Sequence, residues 1–567
     1  MAETLISPGV LARENDQSFI TQGPVTVGAA IIGPTAKGPV EVPTVVTSYS
    51  QYQNIFGTTF TSASSVFTYF TSIAAYNYFN NGGESLLVAR VVSGSFSSAT
   101  SPISGSNTSG SLLLETLSEG TGMNSSSSLD ANGALASGSK ENYRWQIVNS
   151  NTSSGTFDLL VRAGNDTTTT PTVLETWTNL SLDPETPNYV AKVIGDQTYN
   201  YASSGTSYYL EITGSYPVNS KYVRVKSVTS PTPGYFNNSG TFKSEYTSSI
   251  PLNGSGSFTG ATGGIMNGAQ YYDTISDGNK SQGIPSGSYD NMINLLSNSD
   301  DYKFNILLTP GIINSLHTSL ATSIISNTQN RGDNLFVLDL VPYNSQVGTV
   351  VTQAASRNTS YATSYWPWVQ VIDPDSGKQV WVPASTVIGG VYSFNDSVAE
   401  PWFAPAGINR GGLSQVVRPE RKLAQSDRDT LYSGKVNPIA TFPGQGTVVY
   451  GQKTLQTKAS ALDRVNVRRL LISLKSYISQ VANNLVFEQN SVATRNTFLS
   501  QVNPFLESVQ QRQGLYAFKV VMDESNNTAD VVDRNQMVGQ IYIQPTKTAE
   551  FIYLDFNITP TGATFPV

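Results

Sequence analysis

Few side chains of this sequence could carry out catalysis, and each has a simpler structural explanation. The 567 residues contain no cysteine and a single histidine, His317. Zinc sites of the Cys/His type, cysteine nucleophiles and disulfides are therefore excluded, and a Ser-His-Asp triad would have to use His317. The stretch GIINSLHTSLATSIISN predicts a helix that follows a buried strand. We therefore interpret His317 as a partly exposed helix residue.

Three short motifs also suggest chemistry. GPTAKGP at residues 33–39 lacks the Gly-Lys-Ser/Thr order of a phosphate loop, and its prolines cannot donate backbone hydrogen bonds. Asp373 and Asp375 could bind a cation, but strand-like VQVI and QVWVP flank them and indicate a hairpin turn. The RGD at residues 331–333 matches a cell-adhesion tripeptide, in a predicted helix-to-strand turn of common composition. We expect no enzymatic activity, cofactor or metal.

The composition indicates a large, loop-rich protein with several domains. Hydrophobic residues make up 39% and charged residues 13% of the chain, which favours β structure over a helical bundle. No apolar run approaches the ~20 residues of a membrane span. The N-terminal MAETLISPGVLARENDQ lacks the basic and apolar regions of a signal peptide, so we expect a protein made in a cytoplasm.

The net charge of −7 is unevenly distributed along the chain. Residues 405–567 contain 17 Lys/Arg and 12 Asp/Glu, whereas residues 1–404 contain 16 and 28. Such asymmetry suits head-to-tail contact between copies or contact with an acidic partner, although ordinary scatter would also explain it. With a pI of about 5.0 and no basic run, nucleic-acid binding is not expected.

The elements that would position these side chains begin with an α/β pattern. The sequence predicts strands at residues 25–32, 42–46 and 86–92 and a helix at 62–81. From Ser93 the composition shifts to Ser, Thr, Gly and Asn, followed by alternating runs typical of a sandwich. These runs lie at residues 143–148, 156–162, 207–214 and 222–228. We interpret residues 93–285 as an inserted β-rich, sandwich-like domain with a loose entry.

The α/β pattern then resumes, which is what an insertion into a surface loop predicts. Helices are expected at residues 289–298, 314–330 and 346–361, and strands at 305–309 and 334–341. Four of the six tryptophans follow within residues 360–413, among prolines and glycines that predict a stiff connection. They are Trp366, Trp368, Trp381 and Trp402.

The C-terminal region predicts two helices and a small number of strands. A capping box at Ser460 and Asp463 would begin a helix at residues 461–489, whose apolar seam repeats at intervals of three and four. A second helix is expected at residues 491–513, broken or kinked at Pro504. Strands are predicted at residues 515–522, 538–544 and 552–558.

The long C-terminal helix also carries basic residues opposite its apolar seam. A solvated face is the simpler interpretation, and docking onto an acidic surface is the alternative. The residues spaced to share this face are Arg464, Arg468 and Lys475.

Several stretches together carry a family resemblance. They are ISPGVLARENDQSFI, GAAIIGPTAKGPVEVPTVVTSYSQYQNIFG, the segment 365–413, RDTLYSGKVNPIATFPGQGTVVYGQKTL at 428–455 and RVNVRRLLISLK at 464–475. They resemble the tail sheath proteins of contractile-tailed bacteriophages. The resemblance covers residues 1–92 and 286–567, and residues 93–285 match no pattern of the family.

The resemblance and the patterns together predict a multidomain α+β or α/β chain. The predicted segments are an N-terminal arm (1–24), an α/β sheath domain in two parts (25–92 and 286–404), an inserted β-rich outer domain (93–285), a tube-facing α+β domain (405–545) and a C-terminal arm (546–567).

The resemblance further implies a structural role in the virion. Sheath subunits stack as hexameric rings around an inner tail tube and contract to drive it through the host envelope. Expected partners are other copies, the tail tube protein, and baseplate and tail terminator proteins, with assembly in the host cytoplasm. Neither nucleic acid nor direct membrane insertion is expected.

The resemblance also implies that the arms add strands to sheets of neighbouring subunits. Candidate residues for this exchange are Val10, Leu11, Ile20, Ile552, Leu554, Phe556 and Ile558. Arg464, Arg468 and Lys475 become candidates for facing the tube. Alternatives are a tailocin-like, phage-derived injection particle and, from a different class, a surface adhesin or S-layer-like protein, which the RGD favours. A carbohydrate-acting enzyme would need paired carboxylates in a cleft, which the sequence does not locate.

Overall fold

The structure is a computed structural model that describes residues 26–62, 65–107, 110–264 and 278–553. The predicted arm at residues 1–24 lies outside these ranges, as does most of the predicted last strand. The candidate exchange residues that fall outside them are Val10, Leu11, Ile20, Leu554, Phe556 and Ile558.

A six-stranded sheet, here called the central sheet, draws its strands from both sides of the predicted insertion. Thr26–Gly33 lies between Leu86–Arg90 and Lys303–Ile313 and pairs with both in parallel. The edge strand Thr44–Val46 is antiparallel to its neighbour. The full order is Ala362–Thr363, Leu335–Asp339, Lys303–Ile313, Thr26–Gly33, Leu86–Arg90 and Thr44–Val46.

Both faces of the central sheet are covered, which explains why its strands are continuous apolar runs. In the first strand, Ala29 and Ile31 join one hydrophobic core and Ala30 and Ile32 the other, and all four are fully buried. On one face pack the helices Tyr49–Phe56, Phe70–Asn80 and Ser385–Val398. On the other face pack Asp290–Leu295, Thr318–Arg331, Val347–Ala355 and Gln425–Ser433.

The helix predicted at residues 62–81 is shorter than expected. It begins only at Phe70, and the residues before it form an antiparallel hairpin of Thr59–Ser62 and Ser65–Thr68. Alternating β-branched and aromatic residues favour strands here, and Phe60 stacks on Phe67 across the hairpin with ring centroids 5.6 Å apart.

The region between Arg90 and Lys303 folds mainly into antiparallel sheets with a hydrophobic core of their own. The expectation of a loose entry at residues 93–140 is wrong, since this stretch contains the strands Ser98–Ile103 and Leu112–Glu119. Their inward residues, such as Leu112 and Leu114, are buried in that core.

Among the described residues of this region, the larger sheets have four, three and two strands. The four-stranded sheet contains Val173–Ser181, Thr156–Ala163, Tyr143–Asn151 and Gly254–Ser257. The three-stranded sheet adds Val223–Val228 to the two strands above, and a hairpin joins Thr198–Ser204 to Ser207–Thr213. The described residues of this region also form two short helices, Val190–Ile194 and Ser244–Thr247, and a pair of two-residue strands, Lys280–Ser281 and Ile284–Pro285.

The tryptophan-rich segment connects three different cores. Trp368 packs on one face of the central sheet and Trp366 on the other. Trp402 belongs to a separate C-terminal core, where its indole N–H donates to the Arg512 carbonyl at 3.0 Å. Two small sheets frame the segment: Gln379–Val382 with Val369–Ile372 and Val416–Pro419, and Tyr365–Trp366 with Asn437–Phe442 and Gly446–Val449.

Two helices and a two-stranded ribbon form the C-terminal part of the described chain. The first C-terminal helix spans Val465–Asn483 and the second spans Val492–Gln511. Ser460 caps a short 3-10 turn, Ala461–Asp463, instead of the first helix itself. Pro504 does not break the second helix, which continues through it. The ribbon pairs Leu515–Val521 with Gln540–Pro545. The connection between these two strands contains a short helix, Ala529–Asp533.

Candidate subunit-contact site

The ribbon has one packed face and two open edges. Phe518 pairs with Ile543 and Val520 with Ile541, and these four side chains pack against the C-terminal core. In the part of the chain that the structure describes, no third strand pairs with the ribbon. An isolated two-stranded sheet is marginally stable in water, so packing on the helices holds the ribbon together. The carbonyls of Tyr516 and Val521 accept side-chain hydrogen bonds from Gln510 and Asn526, and the other outward backbone groups of the ribbon have no strand partner among the described residues.

The segment that follows the ribbon is fastened to the body by one carboxylate. Glu550 accepts hydrogen bonds from the Tyr432 hydroxyl at 2.6 Å, the Arg464 Nε at 2.8 Å and the Gln452 amide at 3.0 Å. We call this group the Glu550 anchor. Its three donors are far from Glu550 in sequence, so the anchor fixes where the C-terminal segment leaves the body.

Charge stabilises the Glu550 anchor. Burial acts to raise the pKa of Glu550, but the hydrogen bonds from Arg464, Tyr432 and Gln452 outweigh it and hold the pKa below its usual value. The carboxylate is therefore ionised at neutral pH, when its charge-assisted hydrogen bonds are strongest.

Beyond the anchor, the described chain ends in three exposed hydrophobic residues. Phe551, Ile552 and Tyr553 are 68%, 77% and 89% exposed, and their backbone is irregular. The strand predicted from Ile552 is thus not formed at its first two residues, and its remainder lies outside the described ranges. A cleft of about 560 Å³ lies beside the anchor, between residues 545–551 and residues 460–467.

The basic residues of the first C-terminal helix do not form a solvated face. Arg468 is 4% exposed, lies over the Tyr361 ring and donates to the Ser360 hydroxyl. Arg468 is therefore not a candidate for facing the tube, because its buried guanidinium cannot reach a partner protein. Arg464 belongs to the Glu550 anchor, and Lys475 is exposed. The prediction fails for Arg468 because the first turns of this helix, residues 465–470, are buried on every side, whereas Lys475 lies in the second half, where one face is open.

A further arginine of this helix was not among the predicted contacts. Arg469 forms a two-pronged ion pair with Asp396, with one N···O distance of 2.9 Å, and lies over the Tyr392 ring. Tyr392 in turn shares a 2.7 Å hydrogen bond with the Tyr365 hydroxyl. This cluster binds the helix to the central domain. Residues 396 and 469 are too far apart in sequence for spacing alone to reveal the pair.

His317 is buried and structural, so the expectation of partial exposure is wrong. It is 3% exposed and precedes the helix Thr318–Arg331. Its Nδ1 accepts the Ile313 backbone N–H at 3.0 Å, so Nε2 carries the proton and donates to the Lys280 carbonyl at 3.0 Å. Both ring nitrogens are engaged in holding the backbone.

The two aspartates near residue 374 lie in a hairpin turn, as predicted. They connect the paired strands Val369–Ile372 and Gln379–Val382. Asp373 is fully buried and accepts the backbone N–H groups of Asp375 and Ser376, each at 3.2 Å.

The phosphate-loop-like motif makes a contact with the inserted region. Lys37 is 5% exposed, and its ammonium lies 3.1 Å from the Glu141 carboxylate. This lysine is therefore committed to an ion pair within the chain.

The RGD tripeptide is not available for recognition. The Arg331 side chain is 2% exposed, pairs with Asp333 at 2.8 Å and donates to the Tyr302 carbonyl at 2.7 Å. The turn itself is as predicted, with Gly332 in the left-handed conformation after the helix. The motif therefore gives no support to the adhesin alternative.

Among the residues that the structure places, no three His, Cys, Asp or Glu side chains are grouped as metal ligands would be. No helix within the described ranges is long and apolar enough to cross a bilayer.

Comparison with known proteins gives a consistent result for the C-terminal half of the chain. The profile of the phage tail sheath protein central domain matches residues 288–455, and that of the phage tail sheath C-terminal domain matches residues 457–559.

Curated relatives match over a similar extent. The tail sheath protein of Vibrio phage KVP40 is 41% identical over 218 residues, which are 38% of this chain and 32% of that protein. The tail sheath protein of Enterobacteria phage T4 is 34% identical over 227 residues, 40% of this chain and 34% of that protein. The part of the chain that matches spans about a third of the length of these relatives.

The fold also matches a solved structure. The sheath tail protein of Listeria innocua superposes with a TM-score of 0.53, covering 92% of this chain and 96% of that one at 10% identity. At this identity the likeness concerns the fold, which is the mixed α/β, multidomain architecture expected from the sequence.

Proposed function

We propose that this chain, which belongs to the phage tail sheath family, polymerises as stacked hexameric rings around an inner tail tube and contracts to drive that tube through a host envelope. The observation that carries the proposal is the ribbon with its two open edges next to the exposed residues 551–553. A structure of this kind is incomplete in a single chain and is completed by strands from other copies.

Strand exchange would link the subunits through their backbones. The C-terminal segment leaves the body at the Glu550 anchor, within a few residues of the ribbon, so it is placed to pair with the ribbon of a neighbouring copy. The proposed exchange residues are Ile552 and, outside the described ranges, Val10, Leu11, Ile20, Leu554, Phe556 and Ile558. Backbone pairing tolerates changes of orientation between bodies, which suits a polymer that must rearrange without coming apart.

Contraction in this proposal is a collective rigid-body movement of subunits. The free energy would be stored during assembly, so no nucleotide is needed and the role is not enzymatic. Proposed partners are other copies, the tail tube protein, and baseplate and tail terminator proteins. The proposed location is the virion tail, after assembly in the host cytoplasm. Lys475 is the exposed member of the basic set proposed to face the tube.

The test is a truncation that spares the Glu550 anchor. A chain ending at Glu550 removes the proposed C-terminal exchange segment while keeping the Glu550 anchor and every residue of the body. We expect the full-length chain to form hollow striated tubes in negative-stain electron microscopy and the truncated chain to remain as folded subunits. Tubes of normal length from the truncated chain would refute exchange through this segment.

A further inference from the structure

Phe487 is the most exposed hydrophobic side chain that the structure describes, and its backbone conformation is unfavourable. It lies in the turn of residues 484–491 that joins the two C-terminal helices, and it is fully exposed. Its φ of 72° falls in the left-handed region, which bulky residues avoid. The other eight non-glycine residues described with positive φ are all polar. A phenylalanine held here without burial indicates a contact outside its own chain.

The turn that carries Phe487 is fastened to the C-terminal core. The Glu488 N–H donates to the Leu485 carbonyl at 3.1 Å, and Leu485 itself packs against that core. The Asn490 amide donates to the Gln536 carbonyl at 2.8 Å. A side chain presented by a fixed turn loses little conformational freedom on docking, which favours its use as an aromatic anchor in an interface.

An open cleft lies at the other end of the same helix. The cleft of about 560 Å³ beside the Glu550 anchor is formed by residues 460–467, where the first C-terminal helix begins, and by residues 545–551. This helix has 19 residues and is therefore about 28 Å long, so Phe487 cannot enter the cleft of its own chain. Apolar side chains line much of the cleft, namely Ala461, Val467, Pro545, Ala549 and Phe551.

The free charges beside the turn and in the cleft have opposite signs. The acidic side chains that line the cleft are paired with Arg464. Lys547, which also lines it, is exposed and forms no ion pair among the described residues. Glu488, next to Phe487, is likewise exposed and without an ion pair in the described ranges. A phenyl ring entering the cleft of a second copy would thus bring a carboxylate towards a free ammonium.

We propose that Phe487 of one copy inserts into the cleft beside the Glu550 anchor of the next copy, with Glu488 against Lys547 at the rim. A contact between two different patches at opposite ends of one helix is head-to-tail, and its repetition produces a ring or a helical filament. The inference rests on the proposed self-assembly and names a side-chain contact within it, separate from strand exchange.

The first test is Phe487→Asn in the full-length chain. Asparagine adopts the left-handed conformation more readily, so the melting temperature of the isolated subunit should be unchanged or higher. The concentration needed for tube formation should rise at least about tenfold, because the docked phenyl side chain is lost. The matched control is Leu129→Asn, which removes an exposed hydrophobic side chain from the inserted region and should leave assembly unchanged.

The second test exchanges the two free charges. Glu488→Lys and Lys547→Glu should each raise the concentration needed for tube formation about fivefold, since each variant sets like charges against one another between copies. An equimolar mixture of the two single variants should assemble as the unmodified chain does, because the turn of each variant is complementary in charge to the cleft of the other. A defect confined to one chain would not be rescued by mixing.

The outcomes separate the inference from the proposed function. Normal assembly of Phe487→Asn would overturn the inference while leaving the sheath proposal intact. A lower melting temperature of the isolated subunit would also overturn it, since the phenylalanine would then serve the fold of its own chain. No recovery in the mixture would exclude the docking of this turn in this cleft. Failure of the unmodified chain to form tubes would instead refute the sheath proposal, and the inference with it.

Discussion

The two sides of the first C-terminal helix differ in whether their contacts are made within one chain. On the central-domain side, Arg469 meets Asp396 and Arg468 meets Ser360 and Tyr361, so the charges have partners within the chain. On the ribbon side, no strand within the described residues pairs with either edge of the ribbon. The first interface is closed within one subunit, whereas the second is open in the single chain and, under the proposed function, is finished when copies meet. Substitutions on the closed side should thus change stability, and those on the open side should change assembly.

The largest effect on stability is expected from Asp396→Ala. This change leaves the Arg469 guanidinium, whose side chain is 3% exposed, without its carboxylate. Breaking a buried pair from one side costs about 3 kcal/mol or more, measurable as a shift in the denaturant midpoint followed by tryptophan fluorescence.

The control for this change is Glu400→Ala, which breaks a nearby pair with Arg512, a side chain that is 46% exposed. An exposed pair contributes at most about 1 kcal/mol. Equal losses from the two substitutions would show that the Arg469 contact does not hold the helix to the central domain.

A smaller, pH-dependent effect is expected from Asp339→Asn. Burial raises the pKa of Asp339 to about 7, although hydrogen bonds from Ser385 act in the opposite direction. Between the unfolded pKa of about 3.9 and pH 7, the folded chain binds a proton that the unfolded chain does not, so stability falls as pH rises. An asparagine does not titrate, so the variant should gain about 2 kcal/mol relative to the unmodified chain between pH 5 and 8.

Stability measured by denaturant at several pH values checks this expectation. Asp530→Asn, at an exposed position, should follow the unmodified chain at every pH. If Asp339→Asn also follows it, the carboxyl of Asp339 is ionised throughout this range.

The smallest effect on stability is expected from Glu550→Gln, on the open side. The variant keeps the shape of the anchor but loses charge-assisted hydrogen bonds, at a local cost of about 1 kcal/mol. Hydrogen exchange should become faster at residues 546–553 and remain unchanged in the central sheet. Glu507→Gln, at an exposed helical position, is the control.

The pH dependence of the Glu550 anchor has the opposite sign to that of Asp339. A lowered pKa means that the contribution of Glu550 is fully present above the unfolded value of about 4.3 and is lost as pH falls through the folded value. The unmodified chain should therefore approach the behaviour of Glu550→Gln only in acid. Loosening of residues 546–553 near pH 6 would contradict this assignment.

Much of the secondary structure could be predicted because it follows from local patterns. The strands at residues 515–522 and 538–544 were placed within two residues of the observed ribbon, and alternation of apolar residues was sufficient. The hairpin before Phe70 was missed because its aromatic residues also occur at helical spacing. Composition alone predicts a loose entry after Ser93, because it does not reveal inward leucines such as Leu112.

The candidate site was less predictable because it depends on contacts between distant residues. Spacing placed Arg468 on one face of a helix but could not show that this face is covered. Glu550 has no distinguishing neighbour in sequence, and its role appears only when Tyr432, Gln452 and Arg464 converge on it. The domain boundary predicted at residue 405 stays a prediction.

The path of residues 91–302 has a consequence for how such proteins diversify. The chain leaves the central sheet at the carboxyl end of Leu86–Arg90 and returns at the amino end of Lys303–Ile313, with the parallel strand Thr26–Gly33 between them. These two points lie at opposite ends of the sheet, about 25 Å apart, so the segment between them must cross the sheet as well as form its own domain. A segment that keeps this crossing could be exchanged for one with a domain of different size, provided that Lys37 and Arg90 find substitutes for Glu141 and the Glu119 carbonyl. The inserted domain could then change between related chains while the central sheet is inherited intact.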